Sequence, residues 1–319
     1  MTSDQLGNSG IIRKGLELRY DVNTLDGRQL LPAGTRLDRD VMEELACRAT
    51  TRWPQVSLLD YGTVRADLRA FLMSNSAYRN IFPEAVVGKG VEVFMTTVTL
   101  PLPVLKCLSY FADNDYYTYR HILMVFALYA LLGYDMRAEM GATSLEVAAG
   151  PMHDLGKVCV PLPLLKMQTP LRRAQRDEIE HHTEAGYVLL TYYLGDVESF
   201  LARVARDHHE RRDGSGYPLG MRLEERHVEV VAVCDVYDAL TNPRPYRNGV
   251  YDNRAAIEVI TDMAAKGTFS WDIVRRLVAV NRKARPAPDE CVVSLDKRGT
   301  PPAENSYGII QQDESGNDP

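Results

Sequence analysis

Residues 121–133 read HILMVFALYALLG, the most apolar window of the chain, with a histidine at its head. At about a dozen apolar residues it falls well short of the roughly 20 that a bilayer-spanning helix needs, so it reads as a helix buried in a protein core. Working outward, helical periodicity persists from about Val104, punctuated by Pro151, Pro161, Pro163, Pro170, Pro218 and Pro243. On the N-terminal side the text changes character. LELRYDV (16–22) alternates, Leu25-Asp26-Gly27 turns and RQLLPAG (28–34) returns, the pattern of a hairpin. Asp38 is placed to cap a helix running through Val41 to Cys47, VSLLDY (56–61) reads as a short strand, and Val64 to Met73 as another helix. The expected fold is mainly α: a helical domain over residues 101–285, a small α+β N-terminal domain over residues 1–100, and a polar tail over residues 286–319. Residues 1–10 are expected to be loose, and the tail partly disordered apart from a strand-like stretch from Cys291 to Leu295.

Of 319 residues, 45% are apolar and 25% charged, the balance of an ordinary globular chain. Thirty-seven basic against 43 acidic residues give a net charge of −6, which disfavours polymeric nucleic acid as a ligand but leaves room for a small anion held by a few local cations. The opening MTSDQLGNSG lacks a basic region followed by an apolar one, so no signal or transit peptide is expected. Cys47, Cys107, Cys159, Cys234 and Cys291 are odd in number and form no Cys-x-x-Cys pair. That argues against a disulfide framework and thiolate zinc, and fits a reducing cytoplasm with no membrane attachment.

All seven histidines lie between positions 121 and 227. Five of the positions concerned stand beside carboxylates or beside each other: His121; His153-Asp154; His182; His208-His209-Glu210; Asp235 follows. Imidazole nitrogen combined with carboxylate oxygen suits first-row divalent metals, whereas an all-oxygen set would favour magnesium or calcium. Taken singly, each has a plainer reading. His121 on an apolar helix also fits a satisfied core histidine, and His153-Asp154 a helix-capping pair. Neighbours on a helix point about 100° apart, so His181 and His182 cannot both face one site; His182 is assigned to it and His181 to the surface. His208 and His209, at a helix end before a glycine-rich turn, can both reach a shared cation. Asp235 and Asp238, three apart, share one face of an apolar helix. Two buried carboxylates there require cations or hydrogen bonds.

Four strings in this order, HDLGK (153–157), HTEAG (182–186), HHERRDGSGYP (208–218) and DVYDALTNPRPYR (235–247), resemble the HD-GYP family of the HD phosphohydrolase superfamily. The resemblance implies an HD-type helical bundle with a binuclear metal centre. It further implies hydrolysis of cyclic di-GMP, a bacterial second messenger, to linear pGpG and on to GMP by a metal-bridging hydroxide. Metal ligation falls to His121, His153, Asp154, His182, His208, His209 and Asp235. Asp154 would bridge the two ions, with His121, His153 and Asp235 completing one site and His182, His208 and His209 the other. Asp154 and Lys157 would be catalytic. Lys157, Arg244 and Arg247 would bind the substrate phosphates, the plainer reading of all three being a solvated helix face or a C-cap. The two divalent transition metal ions are expected to be iron or manganese, with nickel or zinc acceptable to the same donors. A pair of cations about 3.5–4 Å apart lowers the pKa of a shared water and clamps the reacting group. Neighbouring Lys and Arg then neutralise the non-bridging oxygens.

The turn Gly216-Tyr217-Pro218 either shapes the pocket, presents a surface to a diguanylate cyclase or other signalling protein, or is only a tight connection. Tyr217 is left outside the site. A homodimer is a further expected partner. The alternative to an enzyme is a cyclic dinucleotide receptor or interaction module with little turnover, and the full ligand set favours the enzyme. The chain also departs from the family pattern. Tyr117 stands where members with three metals carry a glutamate, and neither Asp113 nor Asp115 lies on the stripe that could replace it. Two metals are therefore predicted. Ile122, Leu123 and Met124 follow His121 where polar residues are common, the stretch Leu219 to His227 is short, and Glu229 replaces a common arginine.

Overall fold

The computed structural model describes residues 16–49, 53–83, 95–140, 148–242 and 249–302. The N-terminal residues expected to be loose and the tail beyond 302 lie outside the described residues, as do Arg244 and Arg247.

The hairpin forms as expected: β1 (Val22–Asn23) pairs antiparallel with β2 (Gln29–Leu31), Val22 opposite Leu31. Asp38 caps α1 (Arg39–Cys47), its carboxylate accepting from the Val41 amide at 3.1 Å. The strand expected over 56–61 is earlier and shorter. β3 (Gln55–Ser57) pairs antiparallel with β4 (Thr99–Pro101), after which Leu58 and Leu59 turn into the core at 0% and 2% exposure. Between them run α2 (Val64–Ser74) and α3 (Ser76–Ile81).

From β4 onward the chain is helical: α4 (Leu102–Asn114), α5 (Tyr116–Met140), α6 (Ala149–Met152), a 3-10 helix (Leu155–Cys159), α7 (Leu162–Leu165), α8 (Arg173–Glu180), α9 (His182–Leu194), α10 (Phe200–Asp207), α11 (Arg226–Thr241), α12 (Asn253–Ala265) and α13 (Trp271–Val280). The apolar window from Ile122 to Leu132 is buried on every side of α5, and α9 and α11 are likewise buried all round. Helices without a polar face need neighbours on all sides, so these three form the middle of the bundle. Asp115 is spent on structure: it is buried and accepts the Thr118 hydroxyl at 2.6 Å at the start of α5. Apolar side chains from Leu16 to Cys291 join one continuous core, so the N-terminal segments pack directly on the helices. Among the described residues no helix is long and apolar enough to cross a membrane.

Two expectations are corrected. Cys291 to Leu295 is not a strand; Cys291 is buried, but Val292 and Leu295 are 80% and 63% exposed, and no described strand pairs with them. Alternation along a sequence makes a strand only where a partner supplies the ladder. The following residues are pinned instead to α12, where the Glu258 carboxylate accepts the amides of Arg298 and Gly299, both at 2.8 Å. Nor is His181 on the surface: it is 3% exposed, with its ring edge-on to Tyr20 at 5.3 Å. The cover comes from the segment just before β1, more than 150 residues away in sequence.

The 3-10 helix lies tightly against α9. A Cβ on Gly156 would overlap the His182 carbonyl oxygen and the Gly186 amide nitrogen, and a Cβ on Gly186 would lie 3.0 Å from the Ala205 Cβ. The glycines of HDLGK and HTEAG are therefore spacers that bring Asp154 and His182 to one place. Gly156→Ala should lower stability by about 3 kcal/mol, the upper range for overpacking a rigid core. Gly133→Ala in α5, where a Cβ meets only the Tyr129 ring at 3.6 Å, should be neutral or stabilising by about 0.5–1 kcal/mol. Urea unfolding of both variants checks the contrast.

Candidate metal centre

Six elements deliver the candidate ligands. His121 lies on α5, His153 and Asp154 at the junction of α6 and the 3-10 helix, and His182 at the first position of α9. His208 is the C-cap of α10, His209 follows it, and Asp235 lies on α11. These side chains converge into two groups. One atom each from His121, His153 and Asp235, and one each from His182, His208 and His209, lie within 4.8 Å of one another.

Asp154 sits between the groups, 1% exposed. Its Oδ2 is 3.4 Å from His121 Nε2 and 3.3 Å from His153 Nε2; its Oδ1 is 3.4 Å from His182 Nε2 and 3.9 Å from His208 Nε2. One oxygen therefore faces each group. Asp235 Oδ1 lies 3.2 Å from His121 Nε2, and its Oδ2 3.9 Å from His209 Nδ1.

The outer hydrogen bonds decide which nitrogen faces inward. His153 Nδ1 donates to the Gly150 carbonyl at 2.6 Å, His182 Nδ1 to the Ile179 carbonyl at 2.7 Å and His208 Nδ1 to the Ala205 carbonyl at 2.9 Å. His121 Nδ1 donates to Asp238 Oδ2 at 2.7 Å. A carbonyl only accepts, so in the neutral rings of His153, His182 and His208 the proton is on Nδ1 and the inward Nε2 carries a lone pair. Nε2 atoms then face each other across 3.2 Å for His121 and His153, and 3.3 Å for His182 and His208. Lone pairs crowded in this way, with carboxylate oxygens beside them and outer acceptors fixing the rings, are the donor set of a divalent transition metal site. The residues fit the ions that the sequence implies.

Electrostatics point the same way. Burial would raise the pKa of Asp154, but the Lys157 ammonium and the neighbouring imidazoles outweigh it and hold the carboxyl well below its usual range. Burial also opposes ionisation of Asp235, and the hydrogen bond from His121 reverses it. Burial depresses His182 to about 4 and pushes His208 and His209 well below the usual value, leaving neutral imidazoles, the form that can bind a cation. His121 differs: burial lowers its pKa, but hydrogen bonds to Asp235 and Asp238 overcome this and raise it to about 9. A cation held by its group would have to displace that proton.

Lys157 lies on the 3-10 helix with its Nζ 2.6 Å from Asp154 Oδ2 and its side chain 15% exposed. It stands at the edge of the cluster, paired with Asp154. The Gly-Tyr-Pro turn belongs to the site more closely than the sequence indicated. The Tyr217 ring stacks on His209 at 4.5 Å and 22°. A Cβ on Gly216 would overlap the backbone of His209 and Glu210, so only glycine lets the turn come this near. Glu210, fully buried, holds the turn from below by accepting the amides of Leu219 at 2.6 Å and Met221 at 3.0 Å. Tyr117 occupies the helical position before His121, its ring stacked on the imidazole at 6.0 Å and 10°. Glu229 accepts from the Ser270 amide and from Arg212, giving that departure a structural use. His227 joins neither group; its Nδ1 hydrogen-bonds the Tyr129 hydroxyl at 2.7 Å.

The sequence alone pointed to Asp238 only as a companion of Asp235 on one helix face. Its role as the acceptor for His121 depends on α5 crossing α11, which no local spacing encodes. Nothing in the sequence flagged Glu210 as the anchor of the turn.

Comparison with known proteins finds several to which the chain is similar. The family profile described as HD domain matches residues 131–270. The chain is 34% identical over 218 residues to the cyclic di-GMP phosphodiesterase PA4108 of Pseudomonas aeruginosa, covering 64% of this chain and 51% of that protein. It is 34% identical over 150 residues to a cyclic di-GMP phosphodiesterase of Thermotoga maritima, covering 46% of this chain and 40% of that protein. A 3'3'-cGAMP-specific phosphodiesterase 1 of Vibrio cholerae matches at 29% identity over 163 residues, 50% of this chain and 36% of that protein. The chain thus spans about half or less of the length of these relatives. The HD and Gly-Tyr-Pro motifs thus meet at one buried imidazole and carboxylate cluster, and the chain is similar over residues 131–270 to the HD domain family and over part of its length to cyclic di-GMP phosphodiesterases.

Proposed function

We propose that the chain is a metal-dependent phosphodiesterase that opens cyclic di-GMP to the linear dinucleotide pGpG and carries it on to GMP. The observation that supports this best is the division of Asp154, one oxygen toward each of two imidazole groups. In this reading His121, His153 and Asp235 hold one divalent cation, His182, His208 and His209 the other, and Asp154 links them. Such a pair, when bound, supplies a nucleophile at neutral pH and stabilises charge on the phosphoryl oxygens. The protein's own groups do the rest. Buried, neutral imidazoles keep the site ready for cations, and the outer acceptors hold the rings in place. Lys157 binds a non-bridging phosphate oxygen, with Arg244 and Arg247 assigned to the remaining phosphate contacts on the family resemblance. Tyr217 covers His209 and shapes the pocket. Residues 101–285 form the catalytic unit, with the described N-terminal segments packed on it. Free cysteines fit a cytoplasmic setting. Iron or manganese is the proposed metal.

The relatives named for cyclic di-GMP and for cGAMP define the arms of the test. Protein loaded with manganese or iron is incubated with each cyclic dinucleotide, and linear products are followed chromatographically. Linear product from cyclic di-GMP supports the reading; tight binding without product makes the chain a receptor instead, and faster turnover of cGAMP reassigns the substrate. Asp154→Ala should lower turnover at least 100-fold, since losing even an outer partner of a metal ligand costs about 10–100-fold. Lys157→Ala should lower kcat by about 10²–10³-fold, the scale of removing one group that stabilises transition-state charge. Anaerobically purified protein should carry two metal ions per chain by mass spectrometry, and chelation should abolish turnover until metal is restored. A reproducible three per chain would contradict the role given to Tyr117.

A further inference from the structure

His121 is held differently from the other inward-facing imidazoles. His153, His182 and His208 donate their Nδ1 protons to backbone carbonyls three residues back in the chain, so local helical geometry alone sets those rings. His121 donates to a side chain, Asp238 Oδ2, at 2.7 Å. On its outer side the ring is therefore set by the Asp238 carboxylate and not by its own backbone.

Asp238 is fully buried, and its other oxygen accepts from two donors. One is the Tyr78 hydroxyl at 2.5 Å; the other is the Asn242 side-chain amide. Tyr78 lies on α3, outside the residues that match the HD domain profile. Its ring is fully buried, edge-on to Tyr237 at 5.9 Å and stacked with Phe82 at 6.4 Å. The start of α3 is fastened to the same place. The Asn75 side-chain amide donates to the Thr241 carbonyl at 3.2 Å and to Asn242 Oδ1 at 3.0 Å, and Asn242 in turn donates to Asp238. Both attachments of α3 thus converge on one carboxylate.

We propose that Tyr78 is a positioning residue for one of the two metal sites: through Asp238 it aims His121 Nε2 at His153 and Asp235, so that α3 is part of the metal centre. The inference rests on the reading that the two imidazole groups hold cations. Its consequence is asymmetric. Loosening α3 weakens the site of His121, His153 and Asp235, while the site of His182 and His208, set by their own backbone, and His209, stacked on Tyr217, is unaffected.

The test uses the full chain loaded with manganese. Bound metal is counted by mass spectrometry across a chelator titration, which resolves the release of each ion. Tyr78→Phe keeps the ring and removes only the donor to Asp238. Tyr237→Phe removes a neighbouring buried hydroxyl that donates to Asn253 at 2.6 Å instead. In Tyr78→Phe one ion should leave at about 10-fold lower chelator, the lower end of the range for outer partners of metal ligands, and the second as in wild type. Tyr237→Phe should release both ions as wild type does. Asn75→Ala, at the partly buried start of α3, should shift the same single ion by a smaller factor, giving a second reading without altering the core. Unshifted release in Tyr78→Phe and Asn75→Ala, or equal shifts of both ions in Tyr78→Phe and Tyr237→Phe, would overturn the inference and leave the two-metal reading standing. A wild-type chain that holds fewer than two ions overturns both.

Discussion

A buried carboxylate cannot stand alone, and Asp154 is the carboxylate around which this protein is arranged. Taking an ion of that size out of water costs several kcal/mol unless cations or hydrogen bonds replace the solvent. Here the compensation comes from Lys157 on one side and from imidazoles on both flanks. The helices that carry those imidazoles must therefore meet at one point, and the close-packed glycines at 156 and 186 are what allow it.

Around that point the protein uses two kinds of support. His153, His182 and His208 are oriented by carbonyls of their own local turns, a device that any correctly formed helix end provides. His121 and His209 depend on longer reach. His121 needs Asp238 from α11 and, behind it, Tyr78 from α3; His209 is covered by Tyr217, whose turn is anchored by Glu210. The two halves of the cluster thus differ in what would disturb them. One is bound to the N-terminal helices, the other to the Gly-Tyr-Pro turn. Outer partners set both the direction and the basicity of a ligand, so this difference bears on affinity as well as on shape.

The Gly-Tyr-Pro turn illustrates why a motif can be visible without its purpose being so. Glycine and proline mark a tight turn in any sequence. That Gly216 is required by contact with the backbone of His209, and that the tyrosine ring then lies on that imidazole, follows only once the turn has folded back over the end of α10.

Much of the architecture was legible in one dimension because its causes are local. The buried helix from residue 122 shows in an unbroken apolar run, the start of α1 in Asp38, the hairpin in its alternation and turn, and the candidate ligands in the spacing of imidazoles and carboxylates. What the tertiary structure decided are matters of who meets whom. His181 is buried because Tyr20 lies against it; Cys291 to Leu295 is no strand because no described strand pairs with it; Asp238 serves His121 because α5 crosses α11; and Tyr78 reaches that carboxylate from 160 residues away. Periodicity and capping are properties of neighbours along the chain, whereas burial and hydrogen-bond partnership belong to neighbours in space, and only folding makes those the same.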